Sequence, residues 1–187
     1  MRDRLQLSPR RMIVDGLFLG AGFTLVAVGS LWLDARIWIE DYPADIQAAA
    51  GGAGEASLPL RLATAVVLFS FLLGGIIYSN WLTRCEHGWA PGFKSVFLHT
   101  LALSWVVNLV DVAVVDWLVF VTIQPAFVVL EGTRGLAGYS DYWFHFEASV
   151  LSWQPWVGTF VLAGMMGVGL PRVWARRARS GGPVRVI

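Results

Sequence analysis

Residues 95–121 read SVFLHTLALSWVVNLVDVAVVDWLVFV, and this stretch decides the fold. Roughly 20 apolar residues cross the ~30 Å hydrocarbon core of a bilayer, and the run is longer than that. It also carries His99, Asn108, Asp111 and Asp116. A carboxylate at the centre of a span costs about 2.5–3.5 kcal/mol on an insertion scale. Two carboxylates on one span therefore require a partner, a proton or a task.

The rest of the 187-residue chain follows the same pattern. Hydrophobic residues make up 56% and charged residues 14%, whereas soluble domains carry about 25% charged residues. That leaves too little polar surface for a water-soluble globule. No basic stripe interleaves with aromatics, which argues against nucleic-acid binding. Cys85 is the single cysteine, so an internal disulfide, a CxxC redox pair and a cysteine-based zinc or iron–sulfur site are excluded. The pattern offers no facing pair of intramembrane histidines for haem, and no cofactor is expected.

Outward from that stretch, three further apolar runs read as spans, at about residues 12–33, 63–82 and 149–170, beside 95–121. The expected fold is an all-α four-transmembrane-helix bundle forming a single integral membrane domain. The first run is too long for the apolar core of a signal peptide and lacks a small-residue cleavage site, so it reads as a retained span. Gly16 and Gly20 form a GxxxG spacing that lets helices approach closely, and Ala163 and Gly167 repeat it in the fourth span. Such Gly-rich faces are candidates for docking a second copy or a larger membrane partner. Asp15, one turn inside the first span, is expected to reach back toward Arg11.

Two long loops, 34–59 and 124–148, separate the spans, with a flexible tip expected at AAAGGAGEAS, residues 48–57. Pro171 is expected to close the fourth span ahead of a basic tail, 171–187. Eleven of the 14 basic residues fall in the N-terminal tail, the short turn after the second span and the C-terminal tail, against Arg36, Arg61 and Arg134 elsewhere. The positive-inside rule then places both termini in the cytoplasm and both long loops outside. Most of the ten Trp sit near one interface or the other, the aromatic belt of a multispan protein, including Trp89 near the inner one. Trp105 and Trp117 lie deeper.

At ~100° per α-helical residue, Trp105, Asn108, Asp111 and Asp116 line one broad face rising about 16 Å, with Asp111 and Asp116 at its two edges. His99 falls opposite, within reach of Asn80 or Tyr78. The plain reading makes Asn108 and the two Asp helix-to-helix glue. The functional reading makes them the wall of an outward-opening polar cavity, because ionisable groups inside spans mark proton or substrate paths. No Lys or Arg lies at their depth; Arg61 or Arg134 could reach only Asp116. The second loop adds Glu131, Tyr139, Asp141, Tyr142, His145 and Glu147. A metal held by His145 with Asp141, Glu131 and an Asp of the first loop is conceivable, but the chain's three His lie at different depths, and an interfacial hydrogen-bond network is the preferred reading, with no metal expected.

The block NLVDVAVVDWLVFVTIQPAFVVLEGTRGLAGYSDYWFHF (108–146), with DYPADIQ (41–47) before it, resembles a pattern found in small multispan bacterial membrane proteins of uncharacterised function. The resemblance covers about a quarter of the chain. It implies a four-span protein of the bacterial cytoplasmic membrane and brings no activity with it. Where that pattern would place an acid, the turn LEGTRG carries Arg134.

Three functional readings follow. The first is a membrane-embedded acid–base enzyme of cyclase or isomerase type, acting on an apolar, isoprenoid-like substrate. Asp111, Asp116, Asn108 and His145 would be its acid–base and orienting groups. Trp105, Trp117, Phe120, Tyr139 and Tyr142 would bind the substrate and stabilise developing positive charge. The logic is similar to that of membrane terpene cyclases, none of whose motifs is present. The second is a small proton-coupled transporter, which four spans would build only by dimerising. The third is a non-catalytic accessory subunit docked in the lipid against a larger complex.

Overall fold

Each apolar run folds as a helix because a bilayer leaves backbone groups no partner except their own chain. The computed structural model describes residues 7–51, 54–87 and 91–179. Helix α1 covers Pro9–Asp34, α2 Ala44–Ala50, α3 Leu58–His87, α4 Phe93–Val110, α5 Tyr142–Phe146 and α6 Trp153–Arg179. From Val110, α4 runs on as a π-helix, Asp111–Ile123, and α5 runs on as a second π-wound segment, Glu147–Leu151. No strand occurs among the described residues. Four helices, taken with their extensions (Pro9–Asp41, Leu58–His87, Phe93–Ile123 and Tyr142–Arg177), are long and apolar enough to cross a membrane. Only 11–28% of their apolar windows is buried inside the protein. Side chains such as Phe18, Leu25 and Trp32 turn outward instead. Exposed apolar surface on that scale has no place in water, and the chain is a multi-pass membrane protein with an all-α fold.

Two expectations fail at the span ends. Pro171 lies inside α6, which continues to Arg179. Proline removes one backbone donor, but Trp174 is buried one turn further on, with the Arg84 guanidinium 5.3 Å from its ring centre, and this anchor carries the helix past the break. The first long loop is not a loop. Ala35–Asp41 forms a 3₁₀ helix, entered through Asp34, whose carboxylate accepts the Arg36 N–H, and α2 follows directly. Residues 48–50 of the expected flexible tip are helical, and its residues 52–53 lie outside the described ones, as does Trp89.

The chain's contacts gather into two compact units. The first comprises residues 1–19, 73–107 and 153–187. Here Gly16 lets α1 close on Val106, where a Cβ would come within 2.7 Å, and Gly167 lets α6 close on Phe93 at 2.9 Å. Trp105 packs against Trp156 with ring centres 4.1 Å apart and planes tilted by 47°, and Phe97 packs on Phe160.

The second unit comprises residues 20–72 and 108–152. Its core joins Leu31 and Ala35 to Tyr42 and Ile46, and these to Val115, Phe120, Val128 and Tyr139. The two loops are thus the packed interior of this unit. The Tyr42 hydroxyl donates to the Val128 carbonyl at 2.9 Å. The Asp45 carboxylate accepts the Gly138 N–H at 2.9 Å, and a Cβ on Gly138 would run into that carboxylate and into Pro43. On the α1 side, Gly20 faces Val110, so both glycines of the GxxxG spacing pack on this chain's own α4.

The Gly20 contact makes a prediction. A Cβ there would lie 2.7 Å from that of Val110, and overpacking of this kind costs about 1–3 kcal/mol. Gly20→Ala is expected to lower the thermal unfolding midpoint in detergent micelles. Gly29→Ala, whose Cβ would meet nothing within 4 Å, is expected to leave it unchanged or raise it slightly, since alanine is the better helix former.

Candidate acid–base site

Where α4 ends, the backbone changes its winding, and that change assembles the site. A π-helix closes i→i+5 hydrogen bonds, is rare beyond one turn, and is frequent at functional positions; here it runs for 13 residues. Residues five apart come one turn above each other. The α-helical reckoning set Asp111 and Asp116 at the two edges of a broad face, whereas the π winding turns residues five apart toward the same side. Phe120 follows Val115 in the same way, and both are buried. The winding stops at Gln124, held in a left-handed conformation at φ 45° ahead of Pro125. The Gln124 side-chain amide donates to the Val121 and Tyr139 carbonyls and clamps the turn.

Against this side the second loop delivers His145. Asp141 caps α5 by accepting the Phe144 N–H at 2.9 Å, and the short helix points the imidazole into the unit, where it is 5% exposed. Its Nδ1 lies 3.3 Å from Asp116 Oδ1, long for a hydrogen bond but close for a carboxylate–imidazole pair. Its Nε2 is buried without a hydrogen-bond partner among the described residues. The ring packs edge-on against Phe120 at 4.8 Å and against Phe144 at 5.2 Å.

The first loop contributes a third carboxylate, which the sequence offered only as one of several outer-loop acids. Asp41, at the end of the 3₁₀ helix, lies within electrostatic reach of Asp116 and His145, and Asp111 feels both Asp116 and Asp41. Tyr42 and Ile46 of DYPADIQ pack in the core of the unit, and this holds Asp41 between them and the span. All three carboxylates keep accessible surface; Asp41 is exposed, and Asp111 and Asp116 are partly so. Among the described residues only Asp116 of the three has a partner, His145. The neighbouring cations are engaged elsewhere, Arg36 with Asp34 and Arg61 with Glu40 and Glu55. Arg61 therefore pairs with loop acids rather than with Asp116.

The remaining candidates divide. Phe120 lines the imidazole. Tyr139 is buried and stacks on Phe120, but its hydroxyl is spent on the Leu130 N–H and on Thr133 Oγ1. Asn108 donates to the Ser149 carbonyl at 3.0 Å, inside the second π-wound segment, which is the work of glue. Trp117 and Tyr142 are exposed and pair with each other, the indole N–H donating to the Tyr142 carbonyl. Trp105 belongs to the first unit, with Trp156. Asp141 is occupied as a cap, Glu131 is exposed, and no three His, Cys, Asp or Glu side chains among the described residues are grouped to hold a metal ion.

Chemically, the cluster unites an unpartnered carboxyl, a carboxylate–imidazole pair and an aromatic wall. Compared with family models, curated proteins and solved structures, the chain finds no match.

Proposed function

We propose that this cluster is the acid–base centre of a membrane-embedded enzyme of isomerase or cyclase type, acting on an apolar, isoprenoid-like substrate that enters from the lipid. The observation that supports the reading is Asp111, a carboxyl with no donor or cation beside it among the described residues, within electrostatic reach of a paired acid and imidazole. In this reading Asp111 gives its proton to a carbon–carbon double bond, leaving a carbocation. The face of Phe120 steadies the positive charge. The Asp116–His145 pair then removes a proton from the neighbouring carbon, the double bond re-forms one position along, and the proton returns to Asp111 through the cluster. The balance is that of an isomerisation and needs no further reagent. Asp41, at the accessible edge, links the cluster to water.

The test is to purify the full chain in native lipid and identify retained small molecules by mass spectrometry. An apolar unsaturated compound is expected in the wild type and in Asp111→Asn, which binds without turnover, and it should be isomerised only by the wild type. A wild-type preparation that retains nothing beyond bulk lipid would overturn the reading and favour an accessory subunit. A carrier would instead take up protons into vesicles with the ligand chemically unchanged.

A further inference from the structure

The first unit holds a second chain of ionisable groups, which the proposed chemistry does not use. Ser79 of α3 sits between Asp15 of α1 and His99 of α4. Its hydroxyl lies 2.6 Å from Asp15 Oδ2 and 2.8 Å from His99 Nε2. Arg11 joins Asp15 at 3.4 Å and Glu86 by a second ion pair. Side-chain exposure falls from 43% at Glu86 to 20% at Arg11 and 22% at Asp15, then to 1% at both Ser79 and His99. The inner end is unsatisfied: His99 Nδ1 is buried with no hydrogen-bond partner among the described residues. A buried orphan of this kind calls for a reason, and helix glue does not supply one, since Asn80 and Thr100 already bond the same two helices at 3.1 Å.

We infer that Asp15, Ser79 and His99 form a proton relay leading from the exposed Arg11–Glu86 end to His99 Nδ1 in the interior of the unit. One hydroxyl cannot give its single proton to both neighbours, so the chain has two complementary arrangements. In one, Ser79 donates to the Asp15 carboxylate while His99 Nε2–H donates to Ser79. In the other, the Asp15 carboxyl donates to Ser79 and Ser79 donates to Nε2, leaving the ring proton on Nδ1. A proton arriving at Nδ1 converts the first into the second. It forms the imidazolium, the Nε2 proton passes to Ser79 Oγ, and the hydroxyl proton passes to Asp15 Oδ2. One proton enters at Nδ1, one appears on Asp15, and no other bond changes. The charged and titratable groups that act on His99 are Asp15 and Arg11 from α1 and Glu86 from α3. Arg11 holds the outer station in place while Glu86 connects it to the surface.

The test is solvent exchange of the His99 ring N–H, read by ¹⁵N-histidine NMR on the full chain in lipid nanodiscs. In the wild type it is expected to exchange at least tenfold faster than the backbone amides of residues 96–103, which open only when the helix does. Ser79→Ala is expected to slow ring exchange at least tenfold, Asp15→Asn likewise, and Ser79→Thr to restore it. A purely structural hydroxyl predicts the opposite sign, because losing it loosens the packing and speeds exchange. Unchanged or faster exchange in Ser79→Ala overturns the relay. So does a wild-type ring N–H that exchanges no faster than its neighbouring amides, a result that requires no variant to fold. His145 serves as an internal control in the other unit, so the outcome is independent of the enzyme proposal.

Discussion

Tyr42→Ala is expected to lower the stability of the chain by about 3–5 kcal/mol, the cost of emptying a buried aromatic site. Tyr42 is 2% exposed; its ring meets Phe120 edge-on at 4.9 Å and Tyr139 at 6.3 Å. Its hydroxyl supplies the hydrogen bond to the Val128 carbonyl, so one residue ties the first loop to the π-helix and to the second loop at once. Tyr42→Phe keeps the packing and leaves that carbonyl unpaired, for about 1–3 kcal/mol. The two variants should therefore separate in denaturant or thermal unfolding in micelles. A pH series adds a second check. Burial pushes the Tyr42 phenol up, with the neighbouring Tyr139 and Asp41 adding to the effect. The raised folded-state value means that Tyr42 contributes its full stabilisation below about pH 10, where the unfolded phenol begins to ionise. That contribution is lost as the pH rises further. The wild type should weaken in the alkaline range more steeply than Tyr42→Phe. Since Asp41 is the preceding residue, Tyr42→Ala should also loosen the accessible edge of the acid cluster.

How much of this was readable beforehand depends on the kind of signal. The four spans were legible because apolar length is a local property, and their observed bounds exceed the expected ones by only a few residues, except for α6, which continues through Pro171. The loops were not legible. Nothing in the sequence from Ala35 to Ala50 marks the stretch as core until Tyr42 and Ile46 are seen packed against Phe120 and Val128, residues more than 70 positions away. The acids of the third span stood out because carboxylates are costly in lipid. Their mutual placement was missed because a wheel of ~100° per residue assumes α winding, and no residue type announces a π-helix. His145 was flagged as an acid–base group, yet its pairing with Asp116 needed the cap by Asp141 to aim it. His99 was expected near Asn80 or Tyr78 and meets the residue between them, Ser79. Asp15 was expected beside Arg11 and is there, but its inward bond to Ser79 was invisible without the α3 register.

Asp111→Leu is expected to make the protein more stable while abolishing turnover, and the sign of the first effect is what separates a working acid from a structural one. An unpartnered carboxyl at this depth is a standing cost, about 2.5–3.5 kcal/mol for a charged form at mid-span. Among the described residues Asp111 meets neither a donor nor a cation to offset it. Removing it should raise the unfolding free energy by about 1–3 kcal/mol, in line with the gain often seen when buried charges give way to apolar residues. Asn108 provides the contrast one turn away. Its amide donates to the Ser149 carbonyl, so Asn108→Leu should destabilise by about 0.5–2 kcal/mol, as expected for an interhelical polar bond in a membrane. If general acid catalysis rests on Asp111, Asp111→Asn should lower the rate of proton transfer to the retained substrate by about 10²–10⁴-fold with its binding intact. Should Asp111→Leu instead destabilise the chain as Asn108→Leu does, the carboxyl would be holding helices together through a bond, and the acid–base centre would have to be sought at Asp116 and His145 alone.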